Sequence, residues 1–249
     1  MTNIGIFDTG LGGINVLNKM AQDIKAHYYY FGDSLRVPYG SRKISEIREF
    51  SRQIVKFLEK FDIDFYIIAC NTISVTSKEI LEEEFKKKFY SITQIGVDYA
   101  KKFEGDYLLL ATSATVNSHF YKNNLESNNK KVFEIKADAL VKEIEEGLLD
   151  SKQLNKLIDT YISIANDKKI DNIILGCTHF PIIEDQIRDR LTYRANIINP
   201  ASFILDKINT SDKDLSIDIF MSKKTKACEI LIPELIDYDY KLTYTKELI

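Results

Sequence analysis

Two cysteines stand in matching surroundings. Ile67-Ile68-Ala69-Cys70-Asn71-Thr72 and Ile174-Leu175-Gly176-Cys177-Thr178-His179 each read as an apolar strand, a small residue, a cysteine, two polar residues and then a helix. One such cysteine is ordinarily a small buried hydrophobe. Two, each with hydrogen-bonding neighbours and a helix N-terminus able to stabilise a thiolate, point instead to a pair of reactive sulfurs on opposite sides of one ligand. The chemistry that needs such a pair is inversion of a carbon centre by proton transfer: a base removes the hydrogen from one face while an acid delivers another to the opposite face. A free thiol, with a pKa of about 8.5, is biased either way by modest local effects, so one sulfur can be thiolate while the other keeps its proton. Asp8 is expected to steer the proton near one sulfur, and His179, two residues after Cys177, near the other.

Two further strand ends carry ligand-binding features. Ile4-Gly5-Ile6-Phe7-Asp8 stops at an acid and runs into Thr9-Gly10-Leu11-Gly12-Gly13, a glycine-rich turn before an amphipathic helix, where backbone N–H groups can meet an anion. It lacks both the GxGxxG spacing and the Walker lysine, so it is a weak nucleotide site, and a tight turn capped by Asp8 is its plain alternative. Tyr30-Phe31-Gly32-Asp33-Ser34, leading to Val37-Pro38-Tyr39-Gly40-Ser41-Arg42, is a loop of turn formers and hydroxyls suited equally to a turn and to ligand contact.

The elements that must hold these ends alternate along the chain. Short β-rich runs at 3–7, 27–31, 65–69, 90–95, 107–111, 132–135, 172–175 and 196–198 predict strands. Between them Ile44, Ile47, Ser51, Ile54, Val55, Leu58 and Phe61, and later Leu154, Leu157, Ile158, Tyr161, Ile162 and Ala165, recur at three- and four-residue steps, as one face of a helix does. Such alternation predicts an α/β fold of mostly parallel strands with right-handed crossovers and sites at the strands' carboxyl ends. The repeated cysteine setting adds two similar lobes facing each other across a cleft.

With 45% hydrophobic and 29% charged residues, the 249-residue chain has the composition of a globular protein rather than a disordered or disulfide-stapled one. Its formal charge of −3 advertises neither nucleic acid nor an anionic membrane as partner. No apolar run of membrane-spanning length and no signal-peptide pattern is read, so a cytosolic location with free thiols is expected. Cys70, Cys177 and Cys228 form no CxxC pair and have no zinc-ligand spacing. Cys228 lies outside every motif and reads as structural. Charge runs such as Glu82–Glu84 and Lys86–Lys88 are explained by a solvated helix face.

Taken in order, GIFDTGLGG, YFGDSLRVPYG, ACNT and GCTHFP closely resemble the glutamate racemases of the cofactor-independent aspartate/glutamate racemase superfamily, over residues 4 to 181. The resemblance implies interconversion of L- and D-glutamate, supplying D-glutamate for peptidoglycan, with neither pyridoxal phosphate nor metal. It implies Cys70 and Cys177 as the acid/base pair, helped by Asp8 and His179. Substrate contacts fall on Asp8, Thr9, Tyr39, Gly40, Asn71, Thr72, Thr178 and His179. Thr112 and Thr115 in ATSAT match a further ligand-contacting motif, and Glu145 in LVKEIEEG matches an acid near the site. Two pseudo-twofold-related α/β lobes are implied, 1–95 with 206–249 and 96–205, with the active site between them, and a homodimer. Thr9 where serine is usual, and Ile73 and Phe180 beside the catalytic strings, are the departures.

Three readings compete with glutamate. A sister racemase acting on aspartate or hydantoins differs only in its pocket, and the DTGLGG opening and PYG loop favour glutamate. A sugar-kinase or actin-like phosphate loop at Asp8 predicts ATP and magnesium binding and gives the two cysteines no common role. A two-lobed binding protein predicts ligand binding without α-proton exchange.

Overall fold

The computed structural model describes residues 1–127, 129–208, 210 and 212–247. Residues 209, 211, 248 and 249 of the segment expected to return to the first lobe lie outside the described residues. The chain runs β1 (Asn3–Asp8), α1 (Gly13–Asp23), β2 (His27–Gly32), α2 (Ile44–Leu58), β3 (Phe65–Ile68), α3 (Asn71–Phe85), β4 (Phe89–Ser91) and α4 (Ile92–Ala100). It continues with β5 (Tyr107–Ala111), α5 (Ser113–Asn117), α6 (Phe120–Leu125), β6 (Val132–Lys136), α7 (Asp138–Glu145), α8 (Lys152–Lys168), β7 (Asn172–Gly176), α9 (Glu184–Asp189) and β8 (Asn196–Ile198). It closes with β9 (Ser216–Met221), α10 (Lys226–Leu235) and β10 (Lys241–Tyr244).

The strands form two sheets, ordered β10-β9-β2-β1-β3-β4 and β6-β5-β7-β8, and every pairing between these strands is parallel. Within each sheet, the run of four strands taken in chain order lies second-first-third-fourth. That shared order is the duplication in physical form: Cys70 follows the third strand of the first sheet and Cys177 the third strand of the second.

The central strands of each sheet are buried on both faces, as in parallel sheets generally. In the first, Ile4, Ile6, Tyr28, Tyr30 and Ile67 pack toward α1 and α10, while the alternate residues Phe7, Phe31, Tyr66 and Ile68 pack toward α2 and α3. In the second, Leu108, Leu110, Ile173 and Leu175 face α7 and α8, and Tyr107, Leu109 and Ile174 face α4 and α6. Burial of both faces explains why these strands read as continuous apolar runs.

Three expectations need correction. The run 90–95 is not one strand: β4 ends at Ser91, whose Oγ accepts from the Gln94 N–H at 3.4 Å and starts α4. The α2 stripe buries Ile47, Ser51, Ile54, Val55 and Leu58, but Ile44 is exposed at the helix start. The helix expected directly after the Cys177 string is instead a turn and a short 3-10 stretch, Phe180–Ile183, with α9 following. β9 and β10, absent from the sequence reading, extend the first sheet beyond β2.

Candidate active site

The carboxyl ends of β1, β3 and β7 converge. Thr9, Tyr39, Gly40, Cys70, Asn71, Thr72, Thr112, Cys177, Thr178 and His179 all line one pocket, with Pro38, Asp138 and Val141 beside them. Asp8 is buried directly behind its wall. The cavity is closed down to about 10 Å³, the room of a single water. A larger groove of about 300 Å³, lined by Arg48, Ser74, Lys78, Ser91 and Gln94, lies elsewhere on α3 and holds neither thiol.

Cys70 is the N-cap of α3, and its Sγ accepts from the Ile73 N–H at 3.5 Å. Burial nevertheless pushes its thiol well above the ordinary range, and the nearby Asp8 carboxylate pushes in the same direction. Cys177 has a different neighbour: its Sγ lies 3.5 Å from His179 Nδ1, and His179 Nε2 lies 2.5 Å from Glu145 Oε1. Burial pulls the imidazole pKa down, but its hydrogen bonds to Cys177 and Glu145 outweigh that and hold it well above the usual histidine value. A protonated His179 donates from both ring nitrogens, one toward sulfur and one toward carboxylate.

Asp8 ties the lobes together at this point. Its Oδ2 accepts from the Gly13 N–H at 2.7 Å and from Thr178 Oγ1 at 3.2 Å, whereas the buried Oδ1 has no hydrogen-bond partner among the described residues. An orphaned buried carboxylate oxygen is costly and marks a place for a ligand donor. The Leu11 N–H donates to Glu145 Oε1 at 3.0 Å, so the first loop also reaches the His179 pair. Gly12 makes that reach possible, since a Cβ there would stand 2.7 Å from the Thr178 carbonyl carbon and 2.8 Å from His179 N. On the other wall, Thr72 Oγ1 meets Thr112 Oγ1 at 2.7 Å, Thr115 Oγ1 follows at 3.1 Å, and the Ala114 N–H donates to Gly40 O at 2.9 Å.

Tyr39 lines the pocket with its hydroxyl already engaged. Its hydroxyl donates to the buried Asp33, which also accepts from Arg36 Nε at 2.5 Å and Ser222 Oγ at 2.7 Å. Burial and Asp33 together push that phenol well up, so it keeps its proton. Tyr39 therefore has its ring and backbone, not its hydroxyl proton, to offer a ligand.

Asp138 was missed in the sequence. It follows the second strand of its sheet as Asp33 follows β2, and it accepts from the Ser113 N–H and Oγ. The matching acid after the equivalent strand was the available signal, but KADAL lacks the glycine that made FGDS conspicuous. Val141 and Pro38 carried no signal of their own. Cys228 is a buried residue of α10 and receives a hydrogen bond from Thr225 Oγ1; it does not line the pocket.

Duplicated parallel α/β lobes with a thiol at the matching strand end of each, both lining one cleft, are the frame of a two-lobed racemase, an isomerase. Comparison with known proteins gives the family: the Asp/Glu/Hydantoin racemase profile matches residues 4–207, and the chain belongs to that family. A glutamate racemase of Caldanaerobacter subterraneus subsp. tengcongensis is 34% identical over 204 residues, 80% of this chain and 74% of its own. One from a Hydrogenobaculum species is 30% identical over 248 residues, 97% of this chain and 95% of its own. The crystal structure of the Francisella tularensis glutamate racemase in complex with D-glutamate superposes with a TM-score of 0.87 at 27% identity, covering 99% of this chain and 98% of that one. Among the described residues, no helix is long and apolar enough to cross a membrane, and no group of three or more His, Cys, Asp or Glu could hold a metal ion.

Proposed function

We propose that this racemase interconverts L- and D-glutamate with Cys70 and Cys177 as its acid/base pair. The observation that carries the reading is the pair of thiols at equivalent strand ends lining one pocket. The glutamate racemases among the relatives, matched over nearly the whole chain, support glutamate as the substrate.

The two sulfurs take opposite parts in each direction of the reaction. The raised pKa of Cys70 keeps it a thiol, the acid. His179, whose Nδ1 lies 3.5 Å from Cys177 Sγ, orients that sulfur as the base. The substrate enantiomer whose α-hydrogen faces Cys177 loses that proton to sulfur while Cys70 delivers its own to the opposite face. The enzyme then holds the reversed pair and is poised for the other enantiomer. The orphan Oδ1 of Asp8 accepts the substrate ammonium. Asn71, Thr72 and Thr178, with the backbone N–H groups of Tyr39 and Gly40, bind the carboxylates. Donors on the α-carboxylate stabilise the charge that develops as the proton leaves, each contributing on the order of 3 kcal/mol by analogy with oxyanion donors.

The D-glutamate formed supplies peptidoglycan synthesis, and the enzyme works in the cytosol as a homodimer without cofactor. We take residues 1–95 with 206–249 as one lobe and 96–205 as the other. Deuterium wash-in tests the reading: in D2O, with nothing added, both glutamate enantiomers gain α-deuterium and optical rotation is lost. Faster turnover of aspartate or a hydantoin overturns the substrate assignment, and absence of exchange overturns the racemase chemistry.

A further inference from the structure

We infer that Tyr121 is a positioning residue that fixes the Asn71 side-chain amide with its NH2 toward the pocket, as a donor to a substrate carboxylate; this rests on the racemase reading above. Tyr121 lies on α6, on the second sheet's side of the cleft, and is fully buried. Among the described residues its hydroxyl has one hydrogen-bond partner, Asn71 Oδ1 at 2.8 Å. Asn71 is the first residue of α3, directly after Cys70, and lines the thiol pocket. The bond therefore crosses from one lobe's helices to the residue that follows the other lobe's thiol.

An asparagine amide has an acceptor end and a donor end, and half a turn about its last torsion exchanges them. A carboxylate in the pocket needs the donor end and is repelled by the other. With Oδ1 taken by Tyr121, Nδ2 is the end left for the ligand, and no group among the described residues accepts from it. The hydroxyl itself has little freedom. Gly96 and Pro200 close in beside it, since a Cβ on Gly96 would stand 2.9 Å from the tyrosine oxygen and 2.9 Å from Pro200 Cγ. Burial, with Cys177 adding to it, pushes the phenol pKa far up, so the hydroxyl remains a donor at every pH where the enzyme works.

The test is Tyr121→Phe, which keeps the ring and removes one oxygen. KM for glutamate rises about tenfold, the worth of one net hydrogen bond, while kcat changes less than about twofold. The double variant with Asn71→Ala has the KM of Asn71→Ala alone, because the hydroxyl acts only through the amide. A packing role makes the two losses add and moves kcat and Tm together; that result, or a wild-type KM in Tyr121→Phe, overturns the inference. Should Tyr121→Phe not fold, Asn71→Asp supplies the answer. It still accepts from Tyr121 but offers oxygen to the ligand, so KM rises at least about tenfold, and an unchanged KM overturns the inference. Wild-type enzyme inactive on glutamate removes the functional reading itself, which keeps the two failures apart.

Discussion

The two thiols occupy the same place in the fold and are managed by opposite means. Cys70 caps a 15-residue helix and has a carboxylate for a neighbour, and its thiol is held above the ordinary range. Cys177 is followed by a turn and a four-residue 3-10 stretch, and in place of a long helix it has an imidazole backed by Glu145. The strand ends match in place while their neighbours differ, and the difference falls on the groups that face each sulfur.

The most severe way to break the comparison is to remove each sulfur in turn. Cys70→Ser and Cys177→Ser each lose racemisation by about 10³-fold or more, at the upper range of a general acid/base contribution. Their residual behaviour differs by enantiomer. Cys70→Ser still washes deuterium into the enantiomer that faces Cys177, without inversion, and Cys177→Ser does so into the other. Proton NMR of each enantiomer in D2O reads this directly, and exchange into the same enantiomer by both variants contradicts the assignment of one face to each sulfur.

Removing the orphan carboxylate comes next. Asp8→Asn replaces the oxygen meant for the ammonium with a neutral amide and withdraws the charge that raises Cys70. Loss of one charged hydrogen bond predicts KM higher by about 10- to 100-fold. The Cys70 pKa falls at the same time, so iodoacetamide alkylates Cys70 at lower pH in the variant than in wild type. An unchanged alkylation profile means that Asp8 does not act on that sulfur.

The Cys177 side is tested through pH. Glu145 helps hold protonated His179 well above its usual pKa, and a neutral glutamine cannot. His179 must keep its proton to donate toward Cys177, so activity falls as pH rises through its pKa. Glu145→Gln lowers that pKa, and the high-pH limb of kcat moves down, by about one unit for each 1.4 kcal/mol of lost stabilisation of the imidazolium. The low-pH limb stays. A high-pH limb that does not move means that His179 is not the group controlling it.

Much of this was legible because it is local. A parallel strand buried on both faces is an unbroken apolar run, and the residue where it stops is where a site forms, so Asp8, Cys70 and Cys177 announced themselves. What was not legible is pairing at a distance. Nothing in the sequence joins His179 to Glu145, Tyr121 to Asn71, or Tyr39 to Asp33 and Ser222. β9 did carry an alternating pattern, with Ile217, Ile219 and Met221 buried, but a lone alternating strand gives no hint that it pairs with β2 from nearly 190 residues away. The strand-like 90–95 run hid a helix start because isoleucine, threonine and tyrosine favour strands, and only Ser91 marked the change.

The smallest expected effect sharpens the comparison most. Gly12 is the point where the first loop rests on the Cys177 side of the cleft. An alanine Cβ there meets Thr178 Oγ1 at 2.5 Å and backbone at 2.7 and 2.8 Å; the hydroxyl can rotate away, but the backbone cannot. Gly12→Ala therefore pushes the loop off Thr178 and His179, at an overpacking cost of about 1–3 kcal/mol. It also lengthens the 3.2 Å bond from Thr178 to Asp8. Because the disturbance falls on one half-site, deuterium wash-in slows several-fold for the enantiomer facing Cys177 and much less for the enantiomer facing Cys70. Thermal denaturation gives the packing cost separately as a lowered Tm. Equal slowing of both enantiomers would show that the loop acts on closure of the cleft as a whole, and the two half-sites would then be coupled more tightly than their separate neighbours imply.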